Sequence, residues 1–416
     1  MSKLSRSACL AALGVGLFGA TAQAQPQNET PSGGTPAAFA DAFAAAWARH
    51  PAARSAGAAR DAVALQQSAA ARLLPEPASL GLGYRADKPY GSSQGARETE
   101  AEIALPLWLP GQRAALRRAA DAGALQLERR LQAQRWQLAG ELRELWWEAR
   151  LKGAEADLAA QQLAAASALA ADVERRVKAG DMARLDLNQA QSAQQAARIV
   201  SAQAIALRQA SLRQWLTLTG LQALPAAAER AVDHDSAAPA MTHPALGLLQ
   251  ARAALASASA DKARAGRYAS PELGLTVTRD RSVAAEPYAR SARIGLRIPL
   301  GSNSGADIDA LQALTDKAEA EAEWAQEASR LAAAQAQARQ DLQLHSDAVQ
   351  LVQERLRLAD DTLALQQRAF QLGHIDLPTR LQAQTERVDA ELQAARAAVE
   401  LQRAASRLNQ ALGVVP

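Results

Sequence analysis

The chain has 416 residues, Lys+Arg 46 against Asp+Glu 43, and an aromatic content of 4%. So even a charge balance gives no support to nucleic-acid binding, and so few aromatic residues argue against the two or three ordinary globular cores that the length would suggest. Alanine, leucine, glutamine and arginine dominate, which is the composition of long helices.

In chain order, Lys3 and Arg6 precede an apolar stretch from Ala8 to Ala20 and the small residues Ala22-Gln23-Ala24, the three-part layout of a secretory signal. This predicts a signal peptide over 1–24, cleaved after Ala24, and a flexible segment over 25–37. An apolar run of about a dozen residues is too short to span a bilayer as a helix. Cys9, the only cysteine, falls inside the signal, so the mature chain has no thiol for a disulfide, a metal or catalysis. Elsewhere no apolar run approaches the ~20 residues of a membrane helix. Membrane contact after export is therefore expected from a closed barrel.

An amphipathic segment from about Ala38 to Leu73 reads as one helix, stopped at Leu74-Pro75-Glu76-Pro77, where two prolines forbid its continuation. Leu80, Leu82 and Tyr84 alternate at period two, and after a loop around Gly91 to Gly95 so do Ala101, Ile103, Leu105 and Leu107, predicting two strands. From about Gln112 to Lys178 there is no proline, and Leu131, Leu138, Leu142, Leu145 and Ala149 keep a three-and-four spacing. That is a coiled-coil seam. Gly180 ends the long helix, and a partner returns from Leu185 to Gly220.

The same punctuation recurs at one offset of 193 residues. His50-Pro51-Ala52 returns as His243-Pro244-Ala245, Pro106-Leu107 as Pro299-Leu300, Gly180 as Gly373, Gln189-Ala190-Gln191 as Gln382-Ala383-Gln384, and Gly220 as Gly413. Five groups in one register argue for duplication. The second copy supplies strands through Leu273, Leu275 and Val277, then Ile294, Leu296, Ile298 and Leu300. Its long helix, from about Asp307 to Phe370, carries a seam of Val349, Val352, Leu356, Ala359, Leu363 and Phe370, and its last helix runs from Pro378 to Gly413. About 65 residues at 1.5 Å rise make each long helix ~100 Å. The expected organisation is a first repeat over 38–220, a linker over 221–242 and a second repeat over 243–413.

No catalytic constellation emerges: the sequence has no nucleophile elbow, no phosphate-cradling glycine loop and no paired histidines at metal-ligand spacing. The chain is read as a non-enzyme without a cofactor. Asp233, His234, Asp235, Met241 and His243 mix the donors of a soft or borderline cation site, but they lie beside Pro239 and Pro244, and His243 repeats His50. A helix-start role for His243 is the better reading, and no metal ligand is assigned.

Two tandem copies of helix, β-hairpin, long helix and helix behind a signal peptide resemble the TolC-like outer-membrane efflux proteins over nearly the whole mature chain. The segment Leu105-Pro106-Leu107-Trp108-Leu109-Pro110-Gly111-Gln112-Arg113 is similar to the strand-to-helix junction of that family's heavy-metal branch, the CzcC and CusC type. The resemblance implies a mainly α fold with short β. It also implies a homotrimer whose protomers each give four strands to a twelve-stranded outer-membrane barrel, continued by an α-helical barrel in the periplasm of a Gram-negative bacterium. The implied function is a passive exit duct for heavy-metal cations, partnered by a periplasmic adaptor and an inner-membrane pump of the RND type. Export of drugs or other organic compounds by the same duct is the alternative. An adaptor would carry one helical hairpin and several β segments, and a periplasmic coiled-coil scaffold would need no alternating strands.

Residue expectations follow. On the strands, one face is aliphatic and the other carries Glu98, Glu100 and Glu102, with Arg293 and Arg297 in the second repeat, as expected for lipid outside and lumen inside. The two helical tips are placed at Gly180 to Arg184 and Gly373 to Leu377, with Met182 and Ile375 as adaptor-docking residues. Asp181, Asp186 and Asp376 are the gate candidates. The family's aspartate ring falls here on Thr379 and Gln382, so that mechanism does not transfer. Tyr84 and Trp108 stand near strand ends, as interfacial aromatics or as ordinary packing.

Overall fold

The computed structural model describes residues 38–87, 94–229, 243–301 and 304–416, all within one unit that begins at Pro36. The signal peptide, the segment 25–37, Gly91 and the cluster of Asp233, His234, Asp235 and Met241 lie outside the described residues.

The first helical segment is two helices, α1 (Phe39–Arg49) and α2 (Pro51–Ala71), where the sequence suggested one. Pro51 has no N–H to continue α1 and serves as the first residue of α2, while His50 Nδ1 accepts the Ala52 N–H at 3.2 Å. His243 does the same for Ala245, also at 3.2 Å, at the start of α5 (Pro244–Ala265). Both histidines therefore cap helices. His243 is also buried edge-on against Trp136, with ring centroids 4.7 Å apart.

Strands β1 (Ser79–Ala86), β2 (Arg97–Pro106), β3 (Glu272–Arg281) and β4 (Ala289–Arg297) form one antiparallel sheet in the order β1-β2-β3-β4. The two expected hairpins are thus joined by a β2–β3 ladder. Ile298 and Leu300 fall beyond β4, and Leu107 beyond β2. Pro106 and Pro299 lack the N–H a ladder needs, although the Leu107 N–H still reaches the Pro271 carbonyl at 2.7 Å.

Helices α3 (Gln112–Ala179) and α6 (Ser304–Gln371) each have 68 residues, or about 100 Å at 1.5 Å per residue. They return as α4 (Arg184–Thr219) and α7 (Leu377–Ala411). Below the level of α5, α3 packs on α4 and α7, and α7 packs on α6; nearer the sheet, α3 lies between α2 and α5, and α5 packs on α6. So α3 is interior, while α6 stands at one edge and α2 and α4 stand at the other.

The main core lies partway along α3. Phe39, Phe43, Leu138, Leu142, Trp146, Trp147 and Trp215 bury there, the indoles satisfied by carbonyls: Trp146 Nε1 donates to Pro225 and Trp215 Nε1 to Ala223. Beside it Arg143, 2% exposed, donates to Glu229 at 2.7 Å, to Gln410 and to the Val414 carbonyl at 3.0 Å. One guanidinium thus ties α3 to the segment after α4 and to the end of α7. Gly413, at φ +82°, sits so close to the second repeat's start that a Cβ would meet His243 Cδ2 at 2.8 Å. Gly220, at φ +77°, lies against the side chain of Arg49, the last residue of α1.

Candidate functional site

The sheet is inverted with respect to a water-soluble protein. In β2 and β3 the aliphatic side chains are the exposed ones, with Ile103 and Leu275 at 44% and Val277 at 48%, whereas Thr276 on the opposite face is 9% exposed. Register explains the segregation. Leu80, Ile103, Leu275 and Ile294 form one row across all four strands, flanked by Leu82, Ala101, Val277 and Ala292. Consecutive residues point oppositely, so Gly81, Glu102, Thr276 and Arg293 form the neighbouring row on the other face.

The lumen candidates are brought together on this shielded face. Glu102, Arg293 and Arg297 line one cleft of about 200 Å³ with Glu272 and Thr276. Two acids of this face are paired with bases, Arg297 lying 3.4 Å from Glu272 and Arg85 4.0 Å from Glu98, and Glu102 shares its row with Arg293. Glu100 is different. Its row holds Gly83, Thr278 and Ser291, with no cation.

At the far end of the helices the two tips have the same construction. Gly180 and Gly373 adopt φ of +86° and +78°, with open space where a Cβ would stand, so glycine is used for conformation alone. Backbone N–H groups one residue beyond each close the helix end, Asp181 on the Arg176 carbonyl and His374 on that of Ala369, both at 2.9 Å, in the manner of a Schellman cap. Met182 and Ile375 are half-buried. They pack on a cluster of Leu169, Val173, Phe370 and Leu377, so they staple the turns.

Two of the gate candidates are engaged as caps. Asp186 Oδ2 accepts the Ala183 N–H at 3.1 Å, and Asp376 Oδ1 accepts the Thr379 N–H at 3.1 Å. Hydrogen bonds from Thr379, side chain before backbone, hold the Asp376 carboxyl below its ordinary pKa. Asp181 is exposed at the turn itself. Trp108 donates to the Arg72 carbonyl at 3.3 Å and so anchors the end of α2, while Tyr84 is 67% exposed at the opposite end of the sheet.

A stripe that the inner-seam periodicity does not reveal runs exposed along α6 and onto Leu372, just past its end. Leu344, Leu351, Leu358, Leu365 and Leu372 are 62, 74, 52, 65 and 71% exposed, and their spacing of seven was available as a signal. On the opposite edge α4 exposes Leu185, Ile199, Val200, Ile205 and Leu207. The inner seam of α6, from Val349 to Phe370, is half-buried to buried as expected. Among the described residues no helix is long and apolar enough to cross a membrane.

No protein-family model matches the chain, and no curated protein matches it. Solved structures do. The chain is similar to the outer membrane channel CmeC of Campylobacter jejuni at 13% identity, TM-score 0.72, over 90% of this chain and 85% of that one. It is similar to the transmembrane channel protein CusC at 17% identity, TM-score 0.73, over 94% and 98%. The outer membrane protein VceC of Vibrio cholerae gives 14% identity, TM-score 0.69, over 91% and 99%. At such identities the likeness establishes the fold: a mainly helical chain with a small antiparallel sheet, built as in outer-membrane channels.

Proposed function

We propose that the chain is the outer-membrane channel of a tripartite efflux system of the TolC-like kind, a passive duct and not an enzyme. The inverted sheet carries the proposal. Exposed aliphatic rows are costly in water and stable in hydrocarbon, and four strands with two unpaired edges cannot stand open in lipid. In the order β1-β2-β3-β4, β4 runs antiparallel to β1, so β4 of one protomer can continue onto β1 of the next. Three protomers then close twelve strands. The exposed leucines of α6 meet the apolar edge of the neighbour's α4, continuing the barrel as a helical wall. The reading of repeats over 38–220 and 243–413, linked by 221–242, is supported by element starts that recur at the same offset, such as Pro51 with Pro244 and Ser79 with Glu272.

In this reading the mature chain begins at Gln25 and resides in the outer membrane of a Gram-negative bacterium. Its tips, at Gly180 with Met182 and Gly373 with Ile375, reach a periplasmic adaptor, which joins it to an RND-type pump. Because Met182 and Ile375 are half-buried, the adaptor's grip also falls on the exposed Leu185 and Leu372. Asp181 remains a gate candidate. The cargo we favour is heavy-metal cations, resting on the junction around Trp108 and on the uncompensated Glu100, which three protomers would repeat as a ring.

Extraction in neutral detergent should yield a heat-modifiable trimer that conducts ions in planar bilayers. Leu296→Arg places a charge in hydrocarbon at about 2–4 kcal/mol per chain and should block assembly, whereas Arg297→Gln should change conductance only. Equal effects of the two on assembly would refute the barrel. A deletion strain sensitised to organic toxicants but not to metal salts would overturn the cargo.

A further inference from the structure

The aliphatic face of the sheet does not end in neutral residues. Beyond the row of Leu82, Ala101, Val277 and Ala292, that face continues as Tyr84, Thr99, Arg279 and Arg290, then as Ala86, Arg97 and Arg281. Four arginines therefore share a face with every exposed aliphatic side chain of the sheet, and no strand residue on that face is acidic. The acids of the sheet, Glu98, Glu100, Glu102, Glu272 and Asp280, all lie on the shielded face.

This sidedness is not explained by ion pairing. Arg97, Arg279 and Arg290 have no carboxylate partner among the described residues, while Arg85 and Arg297 on the shielded face do. Arg281 donates to the Gly95 and Ala284 carbonyls and so holds the neighbouring loops. Arg279 and Arg281 lie over the Tyr288 ring at 4.2 and 4.9 Å from its centroid, which orders the guanidiniums and leaves their edges for hydrogen bonding. The acids in the two connections at this end are Asp87, which accepts the Gly95 N–H at 2.7 Å, and Glu286, between β3 and β4.

The belt has a defined position. It lies at the hairpin end of the sheet, opposite the end from which α3 and α6 depart. Within β4 the aliphatic positions run from Ala292 to Leu296, about 14 Å at ~3.4 Å per residue, and the exposed Ile298 and Leu300 continue past the strand's end. Arginines immediately past such a band, with tyrosines beside them, stand at headgroup depth.

We infer that Arg97, Arg279 and Arg290, on the aliphatic face beside Tyr84 and Tyr288, bind the phosphate groups of anionic lipid headgroups in the leaflet at the hairpin end of the sheet. The inference rests on the barrel reading above. The planar, always-charged guanidinium fits a phosphate bidentately, and phosphates at that depth supply the negative charge that the face lacks. Three protomers would repeat the belt around the rim, seating the barrel against a phosphorylated surface.

The test uses the full chain purified as an oligomer in neutral detergent. Lipid retention is read by native mass spectrometry with bis-phosphorylated lipid A, the same lipid after phosphatase treatment, and inorganic phosphate as a competitor. The wild type should retain the phosphorylated lipid at least tenfold better than the dephosphorylated one. The variant carrying Arg97→Gln, Arg279→Gln and Arg290→Gln should lose that preference, and Arg293→Gln with Arg297→Gln on the shielded face should keep it. Should the triple variant not assemble, Arg290→Gln alone, on edge strand β4, should weaken retention several-fold and Arg290→Lys should restore most of it. Unchanged retention in the arginine variants, or an equal loss in the shielded-face control, overturns the inference. Displacement by inorganic phosphate marks a free-anion site and overturns the lipid assignment. A wild-type oligomer that inserts and conducts but shows no phosphate preference sinks this inference alone; a chain that forms no membrane-inserted oligomer sinks the barrel reading with it.

Discussion

Helices α3 and α6 have the same length and each follows a β-hairpin, yet they live in different environments. Leu158 of α3 is 7% exposed and its counterpart 193 residues on, Leu351 of α6, is 74% exposed. The reason is neighbours: α3 is flanked by α4 and α7, whereas α6 has α7 on one side only along this stretch. Two helices of equal length thus become one interior member and one edge member of the same wall. The edge member keeps an apolar stripe that the rest of the chain leaves exposed, and that stripe is where the proposed neighbouring protomer would pack.

The sharpest break in this comparison is at Arg143, which has no equivalent because its counterpart is Ala336. Its side chain is 3% exposed and that of Glu229 is 10%. Arg143→Met strands a buried carboxylate, an effect of about 3–5 kcal/mol, and adding Glu229→Met should recover most of it. Denaturant titration of the four members of this double-mutant cycle measures both.

Next comes the pair of equivalent leucines. Leu158→Ala should cost about 2–5 kcal/mol in the isolated chain, while Leu351→Ala should stay within about 0.5 kcal/mol there. Leu351→Asp with Leu358→Asp should leave helicity intact and abolish the oligomer by size-exclusion light scattering. An oligomer unaffected by both aspartates would show that the α6 stripe is not an interface.

The tips should respond alike, because their geometry is alike. Gly180→Ala and Gly373→Ala each force a side chain into a left-handed conformation without a clash, at about 1 kcal/mol apiece. Unequal losses in thermal unfolding would mean that the two turns are not equivalent in the assembly.

The smallest effect is a pH dependence. Burial lowers the pKa of His243 from its ordinary 6.5, so the folded chain favours neutral imidazole. Its contribution is fully present above pH ~6.5 and is lost as pH falls from there toward the depressed folded value, because the unfolded chain takes up the proton first. His243→Asn keeps a helix-capping acceptor and should flatten this slope between pH 7 and 5 in denaturant midpoints.

Local sequence determined a great deal. The ends of α3 and α6 fell within a few residues of the expected positions, because glycine, proline and the absence of both act on the backbone itself. Strand alternation separated Glu102 from Ile103, and the recurrence of His50 as His243 identified two helix starts. The break at His50-Pro51 is also written in the sequence, in a proline that cannot continue α1, although apolar spacing runs across it.

Other features needed the assembled chain. Joining of the hairpins through β2 and β3 aligned Glu102 with Thr276 and Arg293, residues some 170 to 190 positions apart. Engagement of Asp186 and Asp376 as caps depends on turn geometry at the tips. Above all, which of two similar helices lies inside is a matter of which neighbours come to rest on it. Periodicity tells a helix that it has an apolar face, but only tertiary packing decides whether that face is already covered.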